Sequence, residues 1–261
     1  MSSMVDYITG LALKAAARVG RGYYSNVQRG EHSGKGLTET IKKAQGTPVI
    51  TEVKFASPSA GKIREHGDPL RIARAMLNGG ACGISVLTDP EDFQGNMDTL
   101  ASLSREVDVP IVMKDTIVSP VQIQAAARAG ASAVVLISEL FSRRLTEEPL
   151  ERLVREASRL GVEVLLEANS PEEFRKLPEH KPDLYGINNR NLSTFQLDLS
   201  TTERVLAMNG HVDRPVVSES GVESRRDIVR LKNAGAEAFL VGTSIMKSPD
   251  VEAKVRELVN A

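Results

Sequence analysis

The feature that most constrains this chain is a series of eight short runs rich in Val, Ile and Leu. They lie at residues 48–54 (PVITEVK), 82–88 (CGISVLT), 109–114 (VPIVMK), 133–138 (AVVLIS), 162–167 (VEVLLE), 184–188 (LYGIN), 215–219 (PVVSE) and 238–242 (AFLVG). A β-branched run too short for a helix reads as a strand buried on both faces. Their starts lie about 22 to 34 residues apart, the room needed for a strand, a loop, a helix and a return loop in a parallel βαβ unit. Eight such units predict an α/β protein closed into a single (β/α)8 barrel.

The intervening segments agree. Residues 69–78 (PLRIARAMLN) place Leu70, Ala73, Met76 and Leu77 on one stripe, with Asp68 before them as a helix cap. Pro120 opens a second helix over 120–129, and a third over 226–234 ends in Ala-Gly. The triplets GGA at 79–81, AGA at 129–131 and AGA at 234–236 each precede a strand. A glycine there accepts the left-handed backbone that ends a helix and releases the chain into the sheet.

Residues 1–47 differ and form a helical N-terminal extension to the barrel of 48–261. Ile8, Leu11, Ala12, Ala15, Ala16 and Val19 make a helical stripe, five glycines punctuate Gly20 to Gly36, and a second short helix is expected near 38–45. So few large apolar side chains would hardly fold alone, so the extension is expected to dock on the barrel.

Charge and cysteine usage narrow the function. Thirty-three basic against 34 acidic residues leave a net charge of -1, with no overall positive field to draw nucleic acid or anionic lipid. No uncharged apolar stretch is long enough to span a membrane, and no signal segment is visible. One cysteine, Cys82, reads as a small core residue. His32, His66, His180 and His211 show no spacing suited to a metal. A reducing cytoplasm fits best.

In such a barrel the chemistry gathers where strands end and βα loops begin. The strand ends carry Glu52 and Lys54, Thr88 and Asp89, Lys114 and Asp115, Glu139, Glu167, Asn188 and Arg190, Ser218 with Glu219 and Ser220, then Gly242 and Thr243. Glu52 and Lys54 share parity and face the interior together, and Lys114 and Glu167 repeat the arrangement from two other strands. A purely structural barrel gains little by burying so many ionisable groups at one end. SESGV at 218–222 and VGTS at 241–244 are turns after the last two strands, the usual place for a phosphate cradle, to which Arg190 and Ser57 would add a charge and a hydroxyl. Asn188 and Arg190 share parity toward the bowl, whereas Asn189 and Asn191 read as turn-shaping amides. These residues also fit a phosphosugar isomerase, a Schiff-base aldolase, or a non-catalytic barrel that holds a phosphorylated ligand.

The ordered set TEVKFASPSAG, ISVLTDPEDFQG, MKDT, LLEA, GINNRNL, DLSTTER, VVSESGV and AFLVGTSIM, spanning about residues 46 to 250, resembles indole-3-glycerol phosphate synthase. The resemblance implies a carboxy-lyase of tryptophan biosynthesis that closes the ring of 1-(2-carboxyphenylamino)-1-deoxyribulose 5-phosphate with loss of carbon dioxide and water. It implies Lys114 as general acid, Lys54 at the substrate carboxylate or a departing oxygen with Glu52 orienting it, and Glu167 as acid/base. By the same likeness Asn188 and Glu219 position the anthranilate and hydroxyl portions. Ser57, Pro58, Arg190, Ser220, Gly221, Gly242 and Thr243 are similar to the phosphate and substrate shell. No metal or organic cofactor is implied, and association with another enzyme of the pathway is compatible with it. Two residues depart from the family pattern: Thr116 stands where an aromatic is usual, so that an apolar wall is either lost or supplied by Phe93, and Phe55 stands where a basic residue is common. The extension is short and has no Trp.

Overall fold

The computed structural model describes residues 6–65, 67–210 and 212–261, so His66 and His211 lie outside the described residues. Eight parallel strands pair in sequence order and close on themselves. They are β1 Val49–Val53, β2 Gly83–Leu87, β3 Ile111–Lys114, β4 Ala133–Ile137, β5 Glu163–Ala168, β6 Leu184–Asn188, β7 Val216–Glu219 and β8 Ala238–Val241. Each falls within or overlaps one of the eight apolar runs. β8 returns to β1 through Phe239 opposite Val49 and Leu240 opposite Ile50.

Helices α1 Tyr7–Gly20 and α2 Leu37–Lys43 come before the barrel. Around it run α3 Pro69–Asn78, α4 Met97–Glu106, α5 Pro120–Arg128, α6 Ser138–Ser142, α7 Leu150–Arg159, α8 Pro171–Phe174, α9 Ser200–Asn209, α10 Arg225–Asn233, α11 Thr243–Lys247 and α12 Val251–Val259. The local chemistry explains their limits. Asp68 accepts a hydrogen bond from the Leu70 N–H at the start of α3, and Ser119 and Gln122 form a reciprocal capping box on α5. Gly80, Gly130 and Gly235, one from each repeated triplet, have φ of +99°, +84° and +109°, the left-handed conformation those turns require.

The core has two principal parts, as expected for a closed sheet. Outward-facing strand residues such as Ile84, Val86, Val134 and Phe239 pack against the helices. Inward-facing Ile50, Val112, Val135, Leu165, Val217 and Leu240 fill the interior together with Leu37 and Ile41 of α2. Helix α2 therefore closes the end of the barrel where the strands begin, and Glu163 caps it by accepting from the Thr38 N–H at 3.0 Å. Cys82 belongs to this interior cluster, and burial pushes its thiol up to about 12, so it is a packing residue rather than a nucleophile.

Helix α1 lies across the opposite rim. Ile8, Ala12 and Ala15 pack on Val118 and Leu140, and Arg143 ties the start of the helix to the loop after α6 by bonding Asp6 at 2.5 Å. The segment after α1 crosses the end of α5, where the Gly30 N–H donates to the Arg128 carbonyl at 2.9 Å. A Cβ on Gly30 would lie 1.9 Å from the Ala129 carbonyl oxygen, so backbone meets backbone with no room for a side chain. Gly30→Ala is expected to lower the unfolding free energy by about 2 kcal/mol, seen as a lower urea midpoint at unchanged slope. An unchanged midpoint would show that this close approach does not hold the extension.

Candidate active site

Strand alternation decides which side chains enter the barrel mouth. Glu52, Leu87, Lys114, Glu167, Asn188 and Glu219 all line a single cavity at the ends of the strands. The register aligns Leu87 with Lys114 and Asn188 with Glu219, and opposed residues in parallel strands share a face. Lys54, Ser57, Pro58, Phe93, Arg190, Ser220, Gly221, Gly242 and Thr243 line the same cavity. Glu139 turns away and pairs with Arg143 at 3.2 Å on α6. Ser218 has the opposite parity and bonds Asn189 and Thr202 behind the sheet.

Lys114 is the centre of the polar cluster. Its ammonium donates to Glu219 Oε2 at 2.8 Å and to Glu167 Oε2 at 3.2 Å, with both carboxylates almost fully buried. Burial opposes the charge on Lys114, but the fields of Glu219, Glu167 and Glu52 outweigh it and hold the ammonium protonated well above the ordinary lysine range. Glu219 is pushed up to about 7, first by burial and then by the neighbouring Glu167 and Glu52, against the pull of Lys114. Its second oxygen, Oε1, is buried with no hydrogen-bond partner. Glu167 is oriented from the far side by the Asn188 Nδ2, which donates to its Oε1 at 2.9 Å. Across the mouth Lys54 forms an ion pair with Glu52.

Two glycines create the space for these carboxylates. A Cβ at Gly186 would stand 2.7 Å from Glu219 Oε1, and one at Gly242 would stand 2.5 Å from Glu52 Oε1. Gly242 is thus more than a turn residue, and the role of Gly186 depends on a residue of the neighbouring strand that spacing does not reveal.

On the other side of the mouth, Ser220 and Gly221 both have positive φ, +65° and +85°. This turn follows β7, where the phosphate-binding loops of such barrels commonly lie. Serine adopts this conformation at a cost that glycine does not meet. Burial lowers the Arg190 pKa, and its Nη1 donates to the Phe195 carbonyl at 3.1 Å, fixing the loop that carries it. Asn189 spends its amide on Ser218, Glu219 and Ser220 and its carbonyl on Thr202. Asn191 accepts from the Ser193 and Thr194 N–H groups. Both are turn-building amides, as their sequence context suggests.

The apolar wall is where sequence reasoning saw least. Phe93 is present, and Thr116 also lines the cavity, but so do Tyr7 and Leu11 of α1 and Leu192, Phe195 and Leu197 of the loop after β6. The Tyr7 and Phe195 rings lie 4.4 Å apart at 57°, an edge-tilted pair of the kind aromatic quadrupoles favour. Without a Trp, helix α1 still covers the mouth. The helical stripe containing Leu11 was the available signal for it. Phe55 instead packs into the main core, and its carbonyl accepts from Ile63 and Arg64 at the base of the hairpin that pairs Ala56–Ser57 with Gly61–Lys62.

Comparison with known proteins places this arrangement. Solved structures of thiamine phosphate pyrophosphorylase from Pyrococcus furiosus (18% identity, TM-score 0.59, 81% of this chain and 93% of that one) and of N-acetylmannosamine-6-phosphate 2-epimerase from Clostridium perfringens (13%, 0.62, 82% and 92%) share the fold alone. Sequence relatives are far nearer. Indole-3-glycerol phosphate synthase of Rhodopirellula baltica is 45% identical over 81% of this chain and 80% of its own. The protein of that name from Methanopyrus kandleri is 41% identical over 87% and 88%. The family model for indole-3-glycerol phosphate synthase matches residues 14–258, from the middle of α1 to the last helix and across every strand that contributes to the mouth. A match of that extent leaves no part of the cavity outside it except Tyr7 and Leu11, and the chain belongs to the indole-3-glycerol phosphate synthase family.

Proposed function

We propose that this protein closes the indole ring of 1-(2-carboxyphenylamino)-1-deoxyribulose 5-phosphate, releasing carbon dioxide and water to give indole-3-glycerol phosphate. The observation that carries the reading is the Lys114 ammonium held between Glu167 and Glu219 in a cavity lined by the Ser220–Gly221 turn on one side and by Tyr7, Phe93 and Phe195 on another.

The first step joins the ring carbon that bears the carboxylate to the ketone carbon. The ketone oxygen gains negative charge as the bond forms, and Lys114 hydrogen-bonds to it and then gives it a proton. Loss of the carboxylate as carbon dioxide restores the aromatic ring. Lys54 is the counter-charge for that carboxylate while it is bound, and Glu52 keeps its ammonium in place. In the second stage the new hydroxyl leaves as water and a proton is lost from the adjacent carbon. Glu167, bonded to Lys114 and steadied by Asn188, is placed to move protons between the two stages. Glu219 orients Lys114 through its Oε2, and with Asn188 it positions the anthranilate and hydroxyl portions of the substrate. Ser57, Arg190, Ser220, Gly221, Gly242 and Thr243 receive the phosphate, and Pro58 and Phe93 bound the pocket.

The electrostatics favour this reading over a Schiff-base aldolase. A lysine that attacks a carbonyl must be neutral, and such residues have depressed pKa values. The three carboxylates around Lys114 do the opposite.

Lys114→Ala is expected to lower kcat by roughly 10³-fold while the variant stays folded, followed by the fluorescence of the indole product. Retained turnover would remove Lys114 from the chemistry. Glu219 has a raised pKa, so its carboxylate form is lost as pH falls through about 7. If that form holds Lys114, kcat/KM of the unaltered protein declines on the acid side of about pH 7, and Glu219→Gln, which cannot titrate, lacks that limb at a lower plateau. The same acid limb in both proteins would assign it to another group.

A further inference from the structure

The largest fully buried side chain among the described residues is a charged one outside the cavity, Arg18 of α1, only 1% exposed. Its Nη2 lies 3.1 Å from both Asp115 Oδ1 and Asp89 Oδ2, its Nη1 lies 3.4 Å from Glu91 Oε2, and its Nε donates to the Tyr24 hydroxyl at 3.3 Å. That hydroxyl in turn donates to Asp115 Oδ2 at 2.8 Å, and Thr88 Oγ1 donates to the same oxygen at 2.7 Å. Gln122 completes the set. Its amide reaches Tyr24 and the Thr116 carbonyl, and its oxygen accepts from the Val118 and Ser119 N–H groups.

Everything in this network grips the chain on one side of Lys114. Asp115 follows it directly, its Oδ1 also accepts from the Thr116 N–H at 2.8 Å, and the Lys114 carbonyl accepts from the Thr88 N–H at 3.2 Å. The next residues are therefore pinned by carboxylate, phenol, guanidinium and amide together. Burying Asp89 and Asp115 side by side is costly unless a cation lies between them, and Arg18 is the cation that hydrogen-bonds Asp115 and forms an ion pair with Asp89. A guanidinium suits this place because its planar fork addresses two carboxylates and a phenol at once, which the single ammonium of lysine does not.

We propose that Arg18 is a positioning residue for the reaction: by fixing Asp115 it sets the direction of the neighbouring Lys114, so the N-terminal helix contributes to turnover and not only to cover. The inference rests on the assignment of Lys114 as the general acid. Arg18 lies behind the cavity wall and touches no substrate. Its loss is therefore felt in the rate of the chemical step more than in substrate affinity, the opposite of what removing a cover does.

The test is steady-state kinetics on the full chain for Arg18→Ala, Arg18→Lys and Tyr24→Phe, with Arg143→Ala as control because it removes the ion pair to Asp6 at the start of α1, which shares no residue with the Arg18 network. Arg18→Ala and Arg18→Lys are expected to lower kcat by roughly tenfold or more with KM changed less than about threefold, and Tyr24→Phe by a smaller factor in the same direction. Roughly 50 mM guanidinium chloride is expected to restore part of the lost kcat in Arg18→Ala and none in Arg143→Ala, whose kcat stays within about twofold of the parent. A rise in KM alone, an unchanged kcat, or an equal fall in Arg143→Ala would overturn the inference. If Arg18→Ala does not fold, the lysine and Tyr24→Phe variants decide by the same criteria. Lys114→Ala in the same assay separates the two levels. Its retention of turnover would sink the general-acid assignment, whereas its loss beside a normal Arg18→Lys would sink only the positioning role.

Discussion

An ammonium group shared by two buried carboxylates is the interaction around which this protein is arranged. Lys114 meets Glu219 and Glu167 from strands separated from it by 105 and 53 residues, and only closure of the sheet brings them together. The cluster carries more negative than positive charge at its core, and the result is asymmetric: the lysine is held fully charged while Glu219 is driven toward neutrality. An incoming substrate that supplies its own anionic groups meets a site already biased toward cation donation at one atom.

Much of this is legible in the amino-acid sequence. Eight apolar runs, three glycine triplets and the polar residues closing each run led to the barrel and to one rim, because strand parity and left-handed glycine turns are local properties. What escaped notice depended on pairs distant in sequence. The clearances at Gly186 and Gly242 exist only because Glu219 and Glu52 point at them. The covering role of Tyr7 needs Phe195 beside it, and Arg18 reads as an ordinary helix cation until Asp89 and Asp115 are folded against it. Nearness to a strand end is a looser guide than parity: Glu139 falls on α6 and Ser218 has the opposite parity to Glu219, and neither lines the mouth.

The neighbours that share the barrel at 13% and 18% identity separate scaffold from chemistry. A layered interior of Ile, Val and Leu recurs wherever eight strands close on themselves, and it says little about reaction type. The distinguishing information sits in the last residue or two of each strand and in the loops that follow. In this protein it also sits in a helix that comes before the barrel altogether.

Helix α2 seals the far end of the barrel with Leu37 and Ile41, and that plug has a kinetic meaning. The chamber is a cul-de-sac: carbon dioxide, water and the finished indole compound must all depart through the doorway by which the starting material arrived.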